Sequence, residues 1–238
     1  MSTLAIFDTD PDARPKAKFT SDIVGKFRSG MLNSLNRPVS LPNWRVTTGD
    51  PDVADTVASA LGGESETWDT SGEDIYQVLT ESPSVDIIVD NGDAIDSRLI
   101  LWGRSGPIHE CNGAVFLGPE EDQGQPCGCP PMLADRKAWA KSGRGPAPSI
   151  SLTFRLASDP LLGKFKFTSS SWELAKVAHE YAEALDKVGG PAVVRLTLEL
   201  VEFQTSAGQD VAFRKPVLKV LKPYDGDAER SDLSRVGF

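Results

Sequence analysis

The chain has 238 residues, 39% of them hydrophobic and 25% charged, which is an ordinary globular composition with enough length to bury a core. Its 34 acidic and 25 basic residues leave a formal charge of −9, which argues against an extensive nucleic-acid footprint, since such binding relies on Lys and Arg neutralising phosphates. No apolar run has the length that spans a bilayer. The polar start, with Asp8, Asp10 and Asp12, does not read as a signal peptide.

Residues 1–19 read as a mobile arm, 20–222 as one α+β domain with a cysteine-loop insertion over 103–148, and 223–238 as a flexible tail. A strand is expected around Ile23–Phe27, followed by a Pro-containing connection through Arg37–Pro42 and a short strand at Trp44–Thr47. Asp50 and Pro51 supply an N-cap and a first-turn proline, and Gly62-Gly63 ends the helix. Val53, Val57, Ala60 and Leu61 share its apolar face. Strands are expected at Ile75–Leu79, Val85–Val89 and Leu99–Trp102.

From Gly103 to Pro148 the texture changes to Gly and Pro, with no clean period until Leu133–Lys141. This reads as a long loop, and such a loop needs a function or a staple. Regular structure returns with the alternation Ile150, Leu152, Phe154, Leu156, and with a strand carrying Phe165 and Phe167. Ser170 stands three residues before Glu173 in capping-box spacing. The helix that follows has a stripe of Leu174, Ala178, Tyr181, Leu185 and Val188, and Gly189-Gly190 stops it. Val194–Leu200 alternates next, and a turn near Ala207-Gly208 leads into Val211–Phe213 and Val217–Leu221 as a hairpin. The expected fold is therefore α+β, with largely antiparallel sheets and two main helices.

Asp22-Ile23-Val24-Gly25-Lys26-Phe27-Arg28 is similar to the stretch from Asp159 through Leu161-Leu162-Gly163-Lys164-Phe165-Lys166. Two related strand–helix–strand units flanking the cysteine loop would produce this match, and so would chance.

The strongest chemical constellation is His109-x-Cys111 followed by Cys127-x-Cys129, which includes all three cysteines of the chain. Three cysteines without an export signal point to a reducing cytosol, as free thiols or as metal ligands. Two close pairs of soft ligands can close a tetrahedral zinc site, structural because no position stays open for water. The competing reading is free thiols beside a surface histidine. His179, the second of two histidines, falls on the long helix as a surface residue. Gly-x-Ser-x-Gly, phosphate-loop and dinucleotide fingerprints are missing, so no catalytic residue is expected.

Asp86, Asp90, Asp93 and Asp96 do not follow the calcium-loop order and read as solvated residues around an Asn91-Gly92 turn. A metal-dependent hydrolase using them is a weaker alternative. Phe165 and Phe167 beside Lys164 and Lys166 could stack on single-stranded nucleic acid, but alternate aromatic residues are more often core. Basic residues gathered at Arg136–Arg144 and Arg214–Lys222 read as solvated surface.

Trp102, Cys111-Asn112-Gly113, Pro126-Cys127-Gly128-Cys129-Pro130, Leu161-Leu162-Gly163 and Phe165-Lys166-Phe167-Thr168-Ser169 together resemble a known family. Leu196–Phe203 leading to Phe213-Arg214-Lys215-Pro216, and Trp44-Arg45-Val46-Thr47-Thr48 with its helix, also fit. The pattern is similar to the recombination directionality factors that accompany large serine integrases in temperate phages of actinobacteria. The family pattern carries two cysteines before the loop where this chain offers His109 and Cys111, so His109 would take the missing place. The resemblance implies a non-enzymatic accessory protein in the host bacterial cytoplasm. Such a protein binds the phage integrase at its DNA-bound C-terminal region, promotes attL with attR and hinders attP with attB. It would meet attachment-site DNA only through the integrase, and would meet no membrane. The alternative is a single-stranded nucleic-acid-binding phage replication protein.

Overall fold

The alternating apolar and polar runs become strands because the pleat sends successive side chains to opposite faces. A computed structural model of the chain describes residues 22–226 except 34, 36, 206 and 207. The expected N-terminal arm, the tail beyond residue 226 and part of the Ala207-Gly208 turn lie outside the described residues.

The first half runs β1 (Ile23–Leu32), β2 (Pro38–Thr48), α1 (Pro51–Leu61), β3 (Ser65–Thr67), β4 (Tyr76–Leu79) and β5 (Ser84–Val89). Next come β6 (Ile95–Trp102), β7 (Pro107–Cys111), β8 (Phe116–Gly118) and α2 (Leu133–Lys141). The chain continues through β9 (Ala147–Leu156), β10 (Lys164–Ser169), α3 (Trp172–Asp186), β11 (Ala192–Gln204) and β12 (Asp210–Pro223). The main sheet has the order β12-β11-β5-β9-β10-β1-β2-β4-β3. Of the described pairings, β1–β10 is parallel and the others are antiparallel. The class is α+β as expected, with α1 and α3 as the main helices.

The two similar Gly-Lys-Phe segments are the two parallel strands, with Gly25 opposite Phe165 and Phe27 opposite Phe167. A Cβ on Gly25 would come within 2.8 Å of the Phe165 ring, so glycine at this point lets the ring cross β1. Phe27 meets Phe154, Phe165 and Trp44 edge-on with centroids 5.2, 5.6 and 5.8 Å apart, the favoured geometry for aromatic pairs. The equivalence stops there, because α3 follows β10 directly whereas β2 intervenes between β1 and α1.

Several expectations give way to tertiary structure. The Arg37–Pro42 connection is the first half of β2, with Pro38 at its start. Pro42 falls where the β1–β2 register jumps from Arg28↔Arg45 to Gly30↔Ser40, an irregularity of the kind that tolerates a residue without an N–H. In α1 the buried residues are Val53, Ala54 and Val57, while Ala60 is exposed and Leu61 half-buried. The cap of α3 is Ser171, one residue later than expected, and its hydroxyl accepts from the Leu174 N–H at 3.3 Å. Leu174, Ala178 and Leu185 are buried on that helix, with Tyr181 and Val188 packed at the margin of the core.

The segment between Gly103 and Pro148 is a loop only in part. β7 pairs with β6, and β8 with β7, and α2 follows. The branch starts at β9, whose one edge is shared by β5 at Arg155 and Leu156 and by β6 from Ala147 to Leu152. Between them the chain makes a tight 3-10 turn at Gly92–Ala94. The Gly92 N–H donates to the Asp186 carboxylate at 2.8 Å. β5 then continues the main sheet through β11, and β6 leads into the cysteine region.

Candidate metal centre

His109 and Cys111 lie two apart on β7, where alternation aims both side chains to the same face. Cys127 and Cys129 follow the β8 turn, in a stretch anchored by Cys127 N–H donating to the Ala114 carbonyl at 3.0 Å. The structure brings all four together, with their ligand atoms within 4.8 Å of one another. His109 Nε2 is 3.2 Å from Cys111 Sγ and 3.5 Å from Cys129 Sγ, and the latter two sulfurs are 3.6 Å apart. Zinc bonds of about 2.3 Å to sulfur and 2.0 Å to nitrogen would place the ligand atoms of a tetrahedron roughly 3.5–3.8 Å apart. The donor set and its spacing fit a closed four-ligand site.

Two turns hold the cysteines, one following Cys111 and one passing between Cys127 and Cys129. The N–H of Gly113 bonds to the Cys111 thiol, and the N–H of Cys129 to the Cys127 thiol. Each turn passes through a left-handed glycine, Gly113 at φ 94° and Gly128 at φ 68°, a conformation costly for any side chain with a Cβ. The three thiols crowd one another. Burial pushes the Cys129 thiol up to about 12, with the neighbouring thiols adding to the effect. Burial also raises Cys111 and lowers His109. Burial opposes ionisation of Cys127 as well, but the N–H of Cys129 and the other sulfurs outweigh it, so that thiol is lowered. A divalent cation would favour the thiolate forms that burial opposes.

Around the cluster, Leu99, Cys111 and Cys127 form a small core of their own, with Phe116, Cys129 and Trp172 packed against it. The His109 ring is 4.7 Å from that of Phe116 and 6.3 Å from that of Trp139 on α2. Arg136, also on α2, donates from Nε to the Pro130 carbonyl and from a terminal nitrogen to the Gly113 carbonyl at 2.8 Å. It therefore ties the helix to both ligand turns. The expectation of solvated surface for Arg136 fails here, because unpaired backbone carbonyls recruit it. Arg214 likewise donates to the Leu198 carbonyl at 3.1 Å. Sequence gave no sign of these pairings beyond the clustering of basic residues.

The other expected residues do not assemble into sites. Asp86 pairs with Arg195 at 2.7 and 2.9 Å, Asp90 with Arg155 at 2.7 Å and Asp96 with Arg98 at 2.8 Å. These aspartates thus serve separate ion pairs, and among the described residues the His109 cluster is the one metal-competent group. Phe165 and Phe167 are core, 0% and 1% exposed, and offer no stacking face. His179 is exposed on α3. No helix among the described residues is long and apolar enough to cross a membrane.

A family model described as Gp3-like, recombination directionality factor-like, matches residues 24–221. That span holds both cores and all four cluster residues. No solved structure matches the chain.

Proposed function

We propose that this chain, which belongs to the recombination directionality factor-like family, binds a phage large serine integrase and switches it from integration to excision. The observation that carries the reading is the family match over residues 24–221. On this reading the chain works as an accessory factor in the bacterial cytoplasm, without cutting or joining DNA. Binding one arrangement of the integrase's DNA-bound C-terminal region better than another shifts the population toward synapsis of attL with attR. A net charge of −9 suits a basic, DNA-binding partner and favours fast encounter.

Within this reading His109, Cys111, Cys127 and Cys129 hold one structural zinc. Four protein ligands leave no open position for water, so the ion would order the β7–α2 region and carry no chemistry. The alternative, a single-strand-binding replication protein, loses its aromatic platform because Phe165 and Phe167 are buried.

An in vitro recombination assay with the cognate integrase tests the proposal. Added protein is expected to activate attL with attR and to inhibit attP with attB. Failure of both effects, with an integrase that is active alone on attP and attB, refutes it.

A further inference from the structure

Alternation along β11 and β12 changes sides partway out. Nearer the sheet the even-numbered Val194, Leu196 and Leu198 are buried, opposite Val220, Leu218 and Pro216 of β12. β5 accompanies this part of β11 as far as Thr197. Farther out, from Glu199↔Lys215 to Gln204↔Asp210, β11 and β12 pair only with each other among the described residues. On this outer ribbon the apolar side chains are odd-numbered, with Val201 opposite Phe213 and Phe203 opposite Val211. Successive side chains of a strand point to opposite faces, so these four stand on the face turned away from the core.

They form one patch. The Phe203 and Phe213 rings meet at 86° with centroids 6.4 Å apart. Phe203 is 50% exposed and Phe213 37%, and none of the four belongs to either apolar core. One residue pair nearer the sheet, on the same face, Glu199 and Lys215 form an ion pair at 3.7 Å. Polar pairs of that kind are what the watered face of an antiparallel ribbon ordinarily carries. An exposed aromatic patch rimmed by polar groups marks a surface that meets another macromolecule, and aromatic anchors carry much of the energy of such contacts.

The surrounding charge narrows the choice of partner. Glu202 and Asp210 line one open cleft of about 440 Å³ together with Phe203 and Val211. Asp210 accepts from the Gln204 amide at 3.1 Å, and among the described residues no cation pairs with either carboxylate. Arg214 is turned back to the Leu198 carbonyl at 3.1 Å. A second copy of this chain, also carrying a charge of −9, would set these carboxylates beside their own counterparts. Nucleic acid and anionic membranes would likewise meet them with like charge. A basic partner with an apolar surface fits both features. Its apolar side chains cover the rings, while its Lys and Arg side chains reach the carboxylates over the edge of a ribbon about 5 Å across.

We infer that the outer ribbon of β11 and β12, through Phe203 and Phe213 with Glu202 and Asp210 beside them, is the surface that grips the integrase. This rests on the proposed function, which supplies a basic partner and leaves the contact surface on this chain open.

The test is binding of the full chain to immobilised integrase without DNA, followed by biolayer interferometry over a range of salt. The wild type is expected to bind, and F203S/F213S to bind at least about thirtyfold more weakly, chiefly through faster dissociation. E202K/D210K leaves the rings intact and guards against misfolding. It is expected to associate about tenfold more slowly at low salt, with the difference shrinking as salt rises. Leu161→Ser, which removes a side chain 84% exposed elsewhere, is expected to bind as wild type does. All three variants should keep the wild-type urea midpoint, because the side chains they replace lie outside both cores. The inference is overturned if either ribbon variant binds as wild type does, or if Leu161→Ser loses as much affinity. It is also overturned if light scattering finds a dimer of the chain that F203S/F213S dissociates. Wild type that fails to bind an active integrase refutes the proposed function and the ribbon's role with it, whereas wild type that binds alongside unaffected ribbon variants refutes the ribbon alone.

Discussion

The main core and the cysteine region are held together by different forces. Phe27, Trp44, Phe165, Phe167, Ile87 and Leu196 are all at most 2% exposed, and they close a core to which strands from both halves of the chain contribute. Such a core needs no directional bond beyond the backbone ladders, since burial of apolar area drives it. The cysteine region buries only Leu99, Cys111 and Cys127 in its own core, and α2 has no buried residue at all. Its order is carried by N–H to sulfur bonds, the Arg136 clamp and, on the proposal above, a metal. A segment too poor in apolar residues to pay its own ordering entropy can still be structured when a few strong, directional ligands replace area.

Removing a ligand attacks that contrast most directly. Cys127→Ser is expected to lower zinc from about one per chain to none, measured by elemental analysis. Amide exchange should then rise across residues 103–146 and stay slow in β1, β9 and β10, because structural zinc contributes on the order of 10 kcal/mol to units of this kind. Exchange that rises equally in both regions would abolish the distinction. The converse variant, Phe27→Ala, is expected to destabilise the main core by about 3–5 kcal/mol in urea unfolding while zinc content stays at about one per chain.

Arg136→Ala sharpens the picture within the cysteine region. Freed ligand turns should weaken zinc about 10–100-fold, as loss of outer-shell support commonly does, read by competition with a chromophoric chelator. The main unfolding transition should not move. Gly92→Ala probes the junction between the regions, where a Cβ would lie 2.7 Å from the Ala182 carbonyl and the Asp186 carboxylate. A cost of about 1–3 kcal/mol is expected from the forced shift of the turn against α3, seen as a lower urea midpoint.

The smallest effect belongs to the surface pair Asp86–Arg195. The Arg195 hydrogen bond holds the Asp86 carboxyl below its ordinary range. A depressed folded-state pKa adds stability above the unfolded value and loses it as pH falls through the folded one. Wild type and Asp86→Asn should therefore differ slightly at neutral pH and converge as acid takes the solution below the usual carboxylate range. Arg195 is exposed and Asp86 half-buried at the surface, so screening keeps the difference small. Melting curves at neutral and acid pH provide the measurement.

Much of the main core was legible because period-two alternation states which face of a strand is buried. Ile150, Leu152, Phe154 and Leu156 all appear inward as their spacing demands. The α3 stripe was legible too, and its cap was misplaced by one residue because Ser169, Ser170 and Ser171 are locally interchangeable and only packing selects among them. The first half of β2 was hidden by Pro38 and Pro42, which propensity assigns to a loop and which the sheet accepts at a strand start and an irregular register. In the candidate site, the grouping of His109, Cys111, Cys127 and Cys129 was legible from residue type alone. Arg136 was not, since a long cation reaching backbone carbonyls 6 and 23 residues away leaves no periodic trace.

By itself, then, the sequence determined the α+β class, the apolar faces and the resemblance to directionality factors, and singled out the His109, Cys111, Cys127 and Cys129 group, all of which depend on local chemistry and spacing. Tertiary structure alone decided that the two Gly-Lys-Phe segments lie side by side in parallel and that the sheet forks at β9. These are pairings between residues up to 141 positions apart, such as Ile23 with Lys164. Their partners are chosen by how the whole apolar surface closes, a property that no short stretch of the chain contains.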